Sequence, residues 1–264
     1  MIPNVLGIAG SDPSGGAGIA ADLKTFGALG AYGMAAITAV TVQNTQGVRA
    51  VQALPAALVA EQVQAVFDDV RVDAVKLGML AEAATVYAVA EVLHTNAARR
   101  VVLDPVLRAS SGDALAGAGM LAALREALLP QVELLTPNLA EAAALLDCVP
   151  AGGLEAMRAQ ARQLRALGPA WVLLKGGHLG GVRSPDVLAG ADGVQVFDAA
   201  RLRTRAGHGT GCTLAAAIAA LRPRHPMPVA VAQAKAYLQA ALVAAERLDV
   251  GRGRGPLHHF HALD

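Results

Sequence analysis

The chain has 264 residues, of which 54% are hydrophobic, 16% charged and 3% aromatic. Lys and Arg number 22 against 21 Asp and Glu, a formal net charge of +1, which excludes the basic excess of proteins that hold phosphate backbones or anionic membranes. A mean hydropathy of +0.43 excludes intrinsic disorder, and the length suits one large domain over residues 1–264.

Val5-Leu6-Gly7-Ile8-Ala9 predicts a strand that runs into Gly10-Ser11-Asp12. Ser14-Gly15-Gly16-Ala17-Gly18 follows and opens an Ala-rich helix. Neither the dinucleotide fingerprint nor the P-loop fits this loop, because Leu23 and not Gly precedes Lys24. No charge occurs from Thr25 to Val48, yet Gly27, Gly30, Gly33, Gln43, Asn44, Gln46 and Gly47 break the stretch. It reads as helix, turn and strand inside a core, not as a bilayer span. Leu58 to Val70 and Leu154 to Leu167 have helical periodicity. Between and after them, Ala74-Val75-Lys76-Leu77 ends at Gly78-Met79, and Val101-Val102-Leu103 at Asp104-Pro105. Glu133-Leu134-Leu135 ends at Thr136-Pro137-Asn138, and Trp171-Val172-Leu173-Leu174 at Lys175-Gly176-Gly177. Near-continuous apolar runs of this length are buried on both faces. The fold expected is therefore α/β, a mostly parallel sheet with helices on both faces.

In such sheets ligands bind beyond the carboxyl ends of the strands. Asp12, Met79, Asp104, Asn138 and Lys175 all follow predicted strands and would share one rim, where carboxylates, an amide and an ammonium beside glycine turns suit a magnesium–phosphate site. Simpler explanations compete for some of them. Asn138-Leu139-Ala140-Glu141 matches a capping box, sufficient by itself for both polar residues, and Asp104-Pro105 can simply start a turn. A second glycine loop, Gly207-His208-Gly209-Thr210-Gly211-Cys212-Thr213, precedes the helical run Leu214 to Leu221. Converging backbone N–H groups and the helix N-terminus would hold an anion there without a side-chain cation. Cys212 stands at that helix start, where the dipole is expected to lower its thiol pKa and fit it to take a proton from an attacking hydroxyl.

The remaining signals point to structure. Arg201, Arg203 and Arg205 read as the solvated face of an alternating strand, Gly251 to Gly255 as a flexible loop, and Arg222 to Pro228 as a loop between helices. His258, His259 and His261 lack metal-site spacing and read as structural or surface residues. The start of the chain has no basic leader, and Cys148 and Cys212 make no disulfide framework, so a cytoplasmic location is expected.

Gly10-Ser11-Asp12-Pro13-Ser14-Gly15-Gly16-Ala17-Gly18, Asp22-Leu23-Lys24-Thr25, Gln43-Asn44-Thr45 and Lys76-Leu77-Gly78-Met79-Leu80 carry a resemblance. So do Asp104-Pro105-Val106, Ser111-Gly112-Asp113, Thr136 to Glu141, Lys175-Gly176-Gly177-His178, His208 to Thr213 and Gly255 to Phe260. Together they closely resemble the hydroxymethylpyrimidine/phosphomethylpyrimidine kinase family of thiamine biosynthesis, within the ribokinase-like superfamily. The match runs in order over nearly the whole chain. It implies ATP- and Mg²⁺-dependent phosphorylation of 4-amino-5-hydroxymethyl-2-methylpyrimidine and then of its monophosphate. By position, Gln43 would bond the pyrimidine edge, and Gly10, Ala17, Asp22, Met79 and Val106 would line the ring pocket. Lys175 would meet the ATP phosphates, with Asp104, Asn138 and Glu141 organising magnesium. Gly209, Thr210, Gly211 and Cys212 would form the anion hole, with Cys212 as base. The resemblance also implies a homodimer. Sugar kinases and many pyridoxal kinases of the superfamily place Asp where this chain has Cys212. Pyridoxal or pyridoxine phosphorylation, or a catalytically silent pyrimidine-binding module, are the alternatives.

Overall fold

The apolar runs form the inner strands of an eight-stranded sheet. The computed structural model describes residues 1–107, 117–202 and 204–263, so the Ser111-Gly112-Asp113 motif and Arg203 lie outside the described residues. In chain order the elements are β1 (Asn4–Ala9), α1 (Gly18–Ala28), β2 (Tyr32–Ile37), β3 (Ala39–Asn44), β4 (Gly47–Ala53), α2 (Ala56–Asp69) and β5 (Ala74–Leu77). Then come α3 (Ala83–Thr95), β6 (Val101–Leu103), α4 (Met120–Ala123), β7 (Leu134–Leu135), α5 (Leu139–Leu146), α6 (Leu154–Arg165) and β8 (Trp171–Lys175). The last are β9 (Asp186–Gly190), β10 (Gly193–Phe197), β11 (Ala206–His208), α7 (Thr210–Leu221), α8 (Met227–Val243) and β12 (Gly255–Pro256).

The sheet order is β10-β9-β8-β7-β6-β5-β1-β2, with β9 antiparallel to both neighbours and the other pairings parallel. From β1 the chain moves outward to β2, then returns past β1 and continues from β5 in the opposite direction. The crevice beyond the ends of β1 and β5 is thus a topological switch point, where open α/β sheets bind ligands.

Side chains alternate across each strand, and here both sets are buried. Leu6, Ile8, Val75, Leu77, Val101, Leu103, Leu135, Val172 and Leu174 pack under α2, α3, α5 and α6. Val5, Ala74, Val102, Leu134, Leu173 and Leu188 pack under α1, α7 and α8. Lys76 shares the phase of Ala74 and therefore enters the α1/α7 layer although it is charged. Helix α7 is buried at every position from Thr213 to Leu221. Its run of Ala side chains allows a helix packed on the sheet, α1 and α8 at once to come close enough to touch all three.

Three expectations are corrected or refined. Arg201 and Arg205 precede β11 and belong to no strand. Arg201 instead donates to the carbonyls of Gly177, Leu179, Gly181 and Arg183, gathering the β8–β9 connection around one guanidinium. The Gly251–Gly255 loop is pinned rather than free: Gly253 N donates to Thr45 Oγ1 at 3.1 Å and Arg254 N to Thr45 O at 2.9 Å. Residues 25–48 are helix, turn and strand as expected, holding the end of α1, then β2, β3 and the start of β4; among the described residues β3 and β4 pair only with each other, as a two-stranded ribbon. Among the described residues no helix is long and apolar enough to cross a membrane.

Because α7 carries the second glycine loop, its burial should govern stability. Ile218 is wholly buried. Ile218→Ala should destabilise by about 2–5 kcal/mol, read as a fall in the urea midpoint at unchanged slope.

Candidate active site

The turn after β1 is built around one carboxylate. Asp12 Oδ1 accepts from Ser14 N at 2.9 Å and Ser14 Oγ at 2.7 Å, and Oδ2 accepts from Gly16 N at 3.2 Å and Ala17 N at 2.8 Å. His208 Nε2 also donates to Oδ2 at 2.7 Å. Burial pushes the Asp12 carboxyl up, but the bonds from His208 and Ser14 outweigh it and hold it at about 2. Asp12 thereby fastens the first glycine loop to β11, which leads into the second.

The two loops then touch through backbone. Gly209 has φ of 81°, in the left-handed region, and a Cβ there would stand 1.9 Å from Gly16 O. Only glycine fits both constraints. The left-handed residue turns the chain into α7, whose first amides belong to Thr210, Gly211 and Cys212. Gly18 at the start of α1 has φ of 55°, and a Cβ there would lie 2.3 Å from Gly10 O. The Gly18 amide favours the Cys212 thiolate, so the starts of α1 and α7 both act on this sulfur.

The expected lowering of the Cys212 pKa is not found. Burial pushes the thiol up to about 11; Lys76 and the Gly18 amide pull it down, while the Asp22 and Asp104 carboxylates push it further up. The helix dipole is outweighed by desolvation and by two nearby anions, so the resting group is a thiol.

Asp22 is also corrected. It does not line the cavity but lies beneath it, fully buried, accepting from Lys76 Nζ at 2.7 Å. Burial raises Asp22 to about 6, against the pull of Lys76, so it is ionised at neutral pH. Lys76 is driven down by burial and raised more strongly by Asp22, Cys212 and Asp104 around it, and stays an ammonium. Asp22 Oδ1 has no hydrogen-bond partner.

At the ends of β6, β7 and β8 stands a second charged group. Lys175 Nζ donates to Asp104 Oδ1 at 2.7 Å, and Thr136 Oγ1 lies 3.3 Å from the same oxygen. The capping box at α5 is formed: Asn138 Oδ1 accepts from Glu141 N at 2.9 Å, and Glu141 Oε2 accepts from Asn138 N at 2.8 Å. Burial lifts Glu141 to about 7; Lys175 opposes this and Asp104 adds to it.

These groups open on one cavity of about 990 Å³. Gly10, Ala17, Gln43, Met79 and Val106 line it, as do Asp104, Asn138, Glu141 and Lys175, and Gly209, Thr210, Gly211 and Cys212. Every site residue expected from sequence except Asp22 is therefore brought together. His208, Lys76 and Arg201 also line it, as does Lys235, which is paired with Asp186. Sequence reasoning gives His208, Lys76 and Lys235 no role and sets Arg201 on a solvated strand face. His208 and Lys76 lay inside quoted motifs, and the signal for Lys76 was a charge within an apolar strand.

The arrangement offers anion-binding backbone, two lysines and two facing carboxylates in a space large enough for a ring and a nucleotide. As a cation site the donor set fits magnesium. Asp104 and Glu141 are hard oxygen ligands that repel each other across the cavity, which a divalent cation would relieve. Magnesium is commonly held by one or two carboxylates together with phosphate oxygens, and Asp104 and Glu141 supply that number.

Residues 12–258 match a family profile described as phosphomethylpyrimidine kinase. The chain is 56% identical over 260 residues to the hydroxymethylpyrimidine/phosphomethylpyrimidine kinase of Salmonella typhimurium, covering 98% of each. Among solved structures it is similar to phosphomethylpyrimidine kinase from Clostridium difficile, with a TM-score of 0.81 and 37% identity over 90% of this chain and 99% of that one. Pyridoxal kinase from Staphylococcus aureus in complex with AMP-PCP and pyridoxal aligns with a TM-score of 0.90 and 31% identity over 99% and 94%.

The Asp12 geometry makes a prediction for stability. A carboxyl held at about 2 instead of its ordinary 3.8 stabilises the fold above the higher value and ceases to do so as pH falls through the lower. Asp12→Asn should cost about 2 kcal/mol at neutral pH. Between pH 4 and 2 the difference between variant and wild type should shrink, followed by chemical denaturation at each pH.

Proposed function

The chain belongs to the phosphomethylpyrimidine kinase family, and we propose how its cavity carries out that family's reaction. It is an ATP-using kinase of thiamine biosynthesis that phosphorylates the hydroxymethyl group of 4-amino-5-hydroxymethyl-2-methylpyrimidine and then the monophosphate, giving the diphosphate. Pyridoxal phosphorylation is the less favoured activity, since identity is 56% to the Salmonella pyrimidine kinase and 31% to the Staphylococcus pyridoxal kinase. A silent binding role is also disfavoured, because Lys175, Asp104 and the whole Gly209–Cys212 cradle are present and face one cavity.

The observation that carries the mechanism is the closure of the two glycine loops on each other beside the Lys175–Asp104 pair. Gln43 bonds the edge of the aminopyrimidine, its amide supplying a donor and an acceptor together. Gly10, Ala17, Met79 and Val106 enclose the ring and direct its hydroxymethyl arm toward Cys212. The amides of Gly209, Thr210, Gly211 and Cys212 hold the migrating phosphoryl group, and Lys175 neutralises the ATP phosphates. The hydroxyl oxygen forms the new bond to the γ-phosphorus as the bridge to ADP breaks, and the Cys212 sulfur receives the hydroxyl proton. Since Cys212 rests as a thiol, this step draws on the minor thiolate form, which the Lys76 ammonium and the Gly18 amide favour. Asp104 and Glu141 would hold magnesium, with Asn138 fixing Glu141; when bound, the ion would neutralise charge on the phosphates. The enzyme works in the cytoplasm, a reading that the free thiols of Cys148 and Cys212 support. It works as a homodimer, for which Val40 and Val42, two residues apart on β3 and both exposed, offer apolar surface.

ADP release from MgATP that requires the aminopyrimidine, with mono- and then diphosphate as products, tests the reaction. Cys212→Ala should lower kcat by roughly 10²–10⁴. Because the base is the ionised form of a thiol raised to about 11, wild-type log kcat/KM should climb with pH from 7 upward at a slope near one. The variant should lack that limb; an identical climb in both would remove Cys212 as base. Gln43→Leu should weaken pyrimidine binding by about 1–3 kcal/mol, measured calorimetrically, with little change in ATP affinity.

A further inference from the structure

Gln43 is held on two sides by polar groups that are themselves nearly fully buried. Thr41 is 5% exposed, His208 7% and Asp12 4%. One terminal atom of the Gln43 amide lies 3.3 Å from Thr41 Oγ1, and the other lies 3.4 Å from His208 Nε2. The two ends of an amide have the same shape, so the hydrogen-bond network decides which is which.

Both neighbours have one role left. The Thr41 hydroxyl has a single proton, and it is donated to Ser11 O at 2.8 Å. Toward Gln43 this oxygen can only accept. His208 Nε2 lies 2.7 Å from Asp12 Oδ2, and an ionised carboxylate can only accept, so Nε2 carries a proton in either charge state of the ring. Toward Gln43 this protonated nitrogen has no lone pair with which to accept, and its single N–H, directed at Asp12, can only be shared with an acceptor at 3.4 Å. The NH₂ end therefore belongs beside Thr41 and the carbonyl end beside His208. The opposite orientation would set two donors against each other at His208 and leave Thr41 without a proton to give.

We propose that Thr41 and the Asp12–His208 pair lock the Gln43 amide in this one orientation, and that the lock makes the site select 4-aminopyrimidines over 4-oxopyrimidines. The proposal rests on the reading that Gln43 meets the pyrimidine edge. Each end of the amide keeps one free bonding position, an N–H on one side and a carbonyl lone pair on the other, in a fixed order. A 4-aminopyrimidine presents a donor at its exocyclic nitrogen and an acceptor at N3. A 4-oxopyrimidine reverses the two, with an acceptor at the exocyclic oxygen and a donor at N3. An unrestrained glutamine would serve either ring by turning through half a circle; a locked one serves only the first. Thr41 and His208 are thus positioning residues that act through Gln43.

The test is the ratio of kcat/KM for the 4-oxo analogue to kcat/KM for 4-amino-5-hydroxymethyl-2-methylpyrimidine. General loss of activity cancels in this ratio. Thr41→Val, which keeps the side-chain shape, and His208→Phe, which keeps a ring, should each raise it roughly ten- to a hundredfold. Nitrogen NMR of the wild-type imidazole should show His208 protonated at Nε2. A ratio that stays at its wild-type value in Thr41→Val overturns the proposal, and so does an unprotonated Nε2; neither readout depends on His208→Phe folding. Gln43→Leu separates the two levels. A raised pyrimidine KM in Gln43→Leu with an unchanged ratio in Thr41→Val overturns the lock alone, whereas an unchanged KM in Gln43→Leu overturns the substrate reading and the lock with it.

Discussion

The hydrogen bond between Asp12 Oδ2 and His208 Nε2 joins residues 196 positions apart and holds the site together. Asp12 shapes the turn after β1, and His208 ends the strand that leads into α7. Their bond brings Gly209 so near Gly16 O that no side chain can stand between. Helix α7 is then forced to begin at the switch point of the sheet, with its free amides over the crevice. Neither loop would make an anion site by itself. A glycine loop after a strand is an ordinary turn; two of them pressed together at the mouth of a buried helix make a rigid cradle.

Around that cradle the charges are arranged in layers. Asp22 and Lys76 form a pair with no exposure beneath Cys212, Asp104 and Lys175 form another at its side, and Asp186 with Lys235 a third farther along the cavity. Such pairs stabilise the fold little, since desolvation offsets their attraction, but removing one partner leaves a buried charge alone. In the proposed reaction their role is to set the electric field at the thiol and the phosphates before any substrate arrives, so little reorganisation accompanies the transfer. The raised thiol of Cys212 follows from the same layering, with one ammonium acting against two carboxylates and burial.

Much of this was legible in the amino-acid order, because the clearest signals are local. Apolar runs that stop at Asp12, Met79, Asp104, Asn138 and Lys175 mark strand ends, and the α/β rule gathers strand ends on one rim. The capping box at Asn138 and Glu141 was legible for the same reason. What escaped depends on phase or on distant partners. In a strand buried on both faces, alternation does not reveal which layer Lys76 enters, so its pairing with Asp22 could not be read and Asp22 was assigned to the ring pocket. At Cys212 the helix start was visible, while burial and the two carboxylates that outweigh the dipole come from β6 and α1. Arg201 binds carbonyls contributed by a neighbouring connection, and nothing in its own surroundings announces that. Strands β9 and β10 did carry a signal, since the apolar runs Val187-Leu188-Ala189 and Val194-Gln195-Val196 flank a two-residue hairpin turn, Ala191-Asp192, bounded by glycines.

Among the described residues the ribbon of β3 and β4 pairs with no other strand, and its turn at Thr45 is tied down by Gly253 and Arg254, more than two hundred residues later. A two-stranded ribbon alone is marginal in water. The corner proposed to meet the pyrimidine is therefore completed by residues 253–256, and the same stretch supplies β12, the partner of the strand that leads into the cradle. Until those residues leave the ribosome, both the ribbon and β11 lack a partner that holds them in place. A copy cut short before Gly253 would keep the strands of the main sheet and lose the clasp that binds both rims of its crevice.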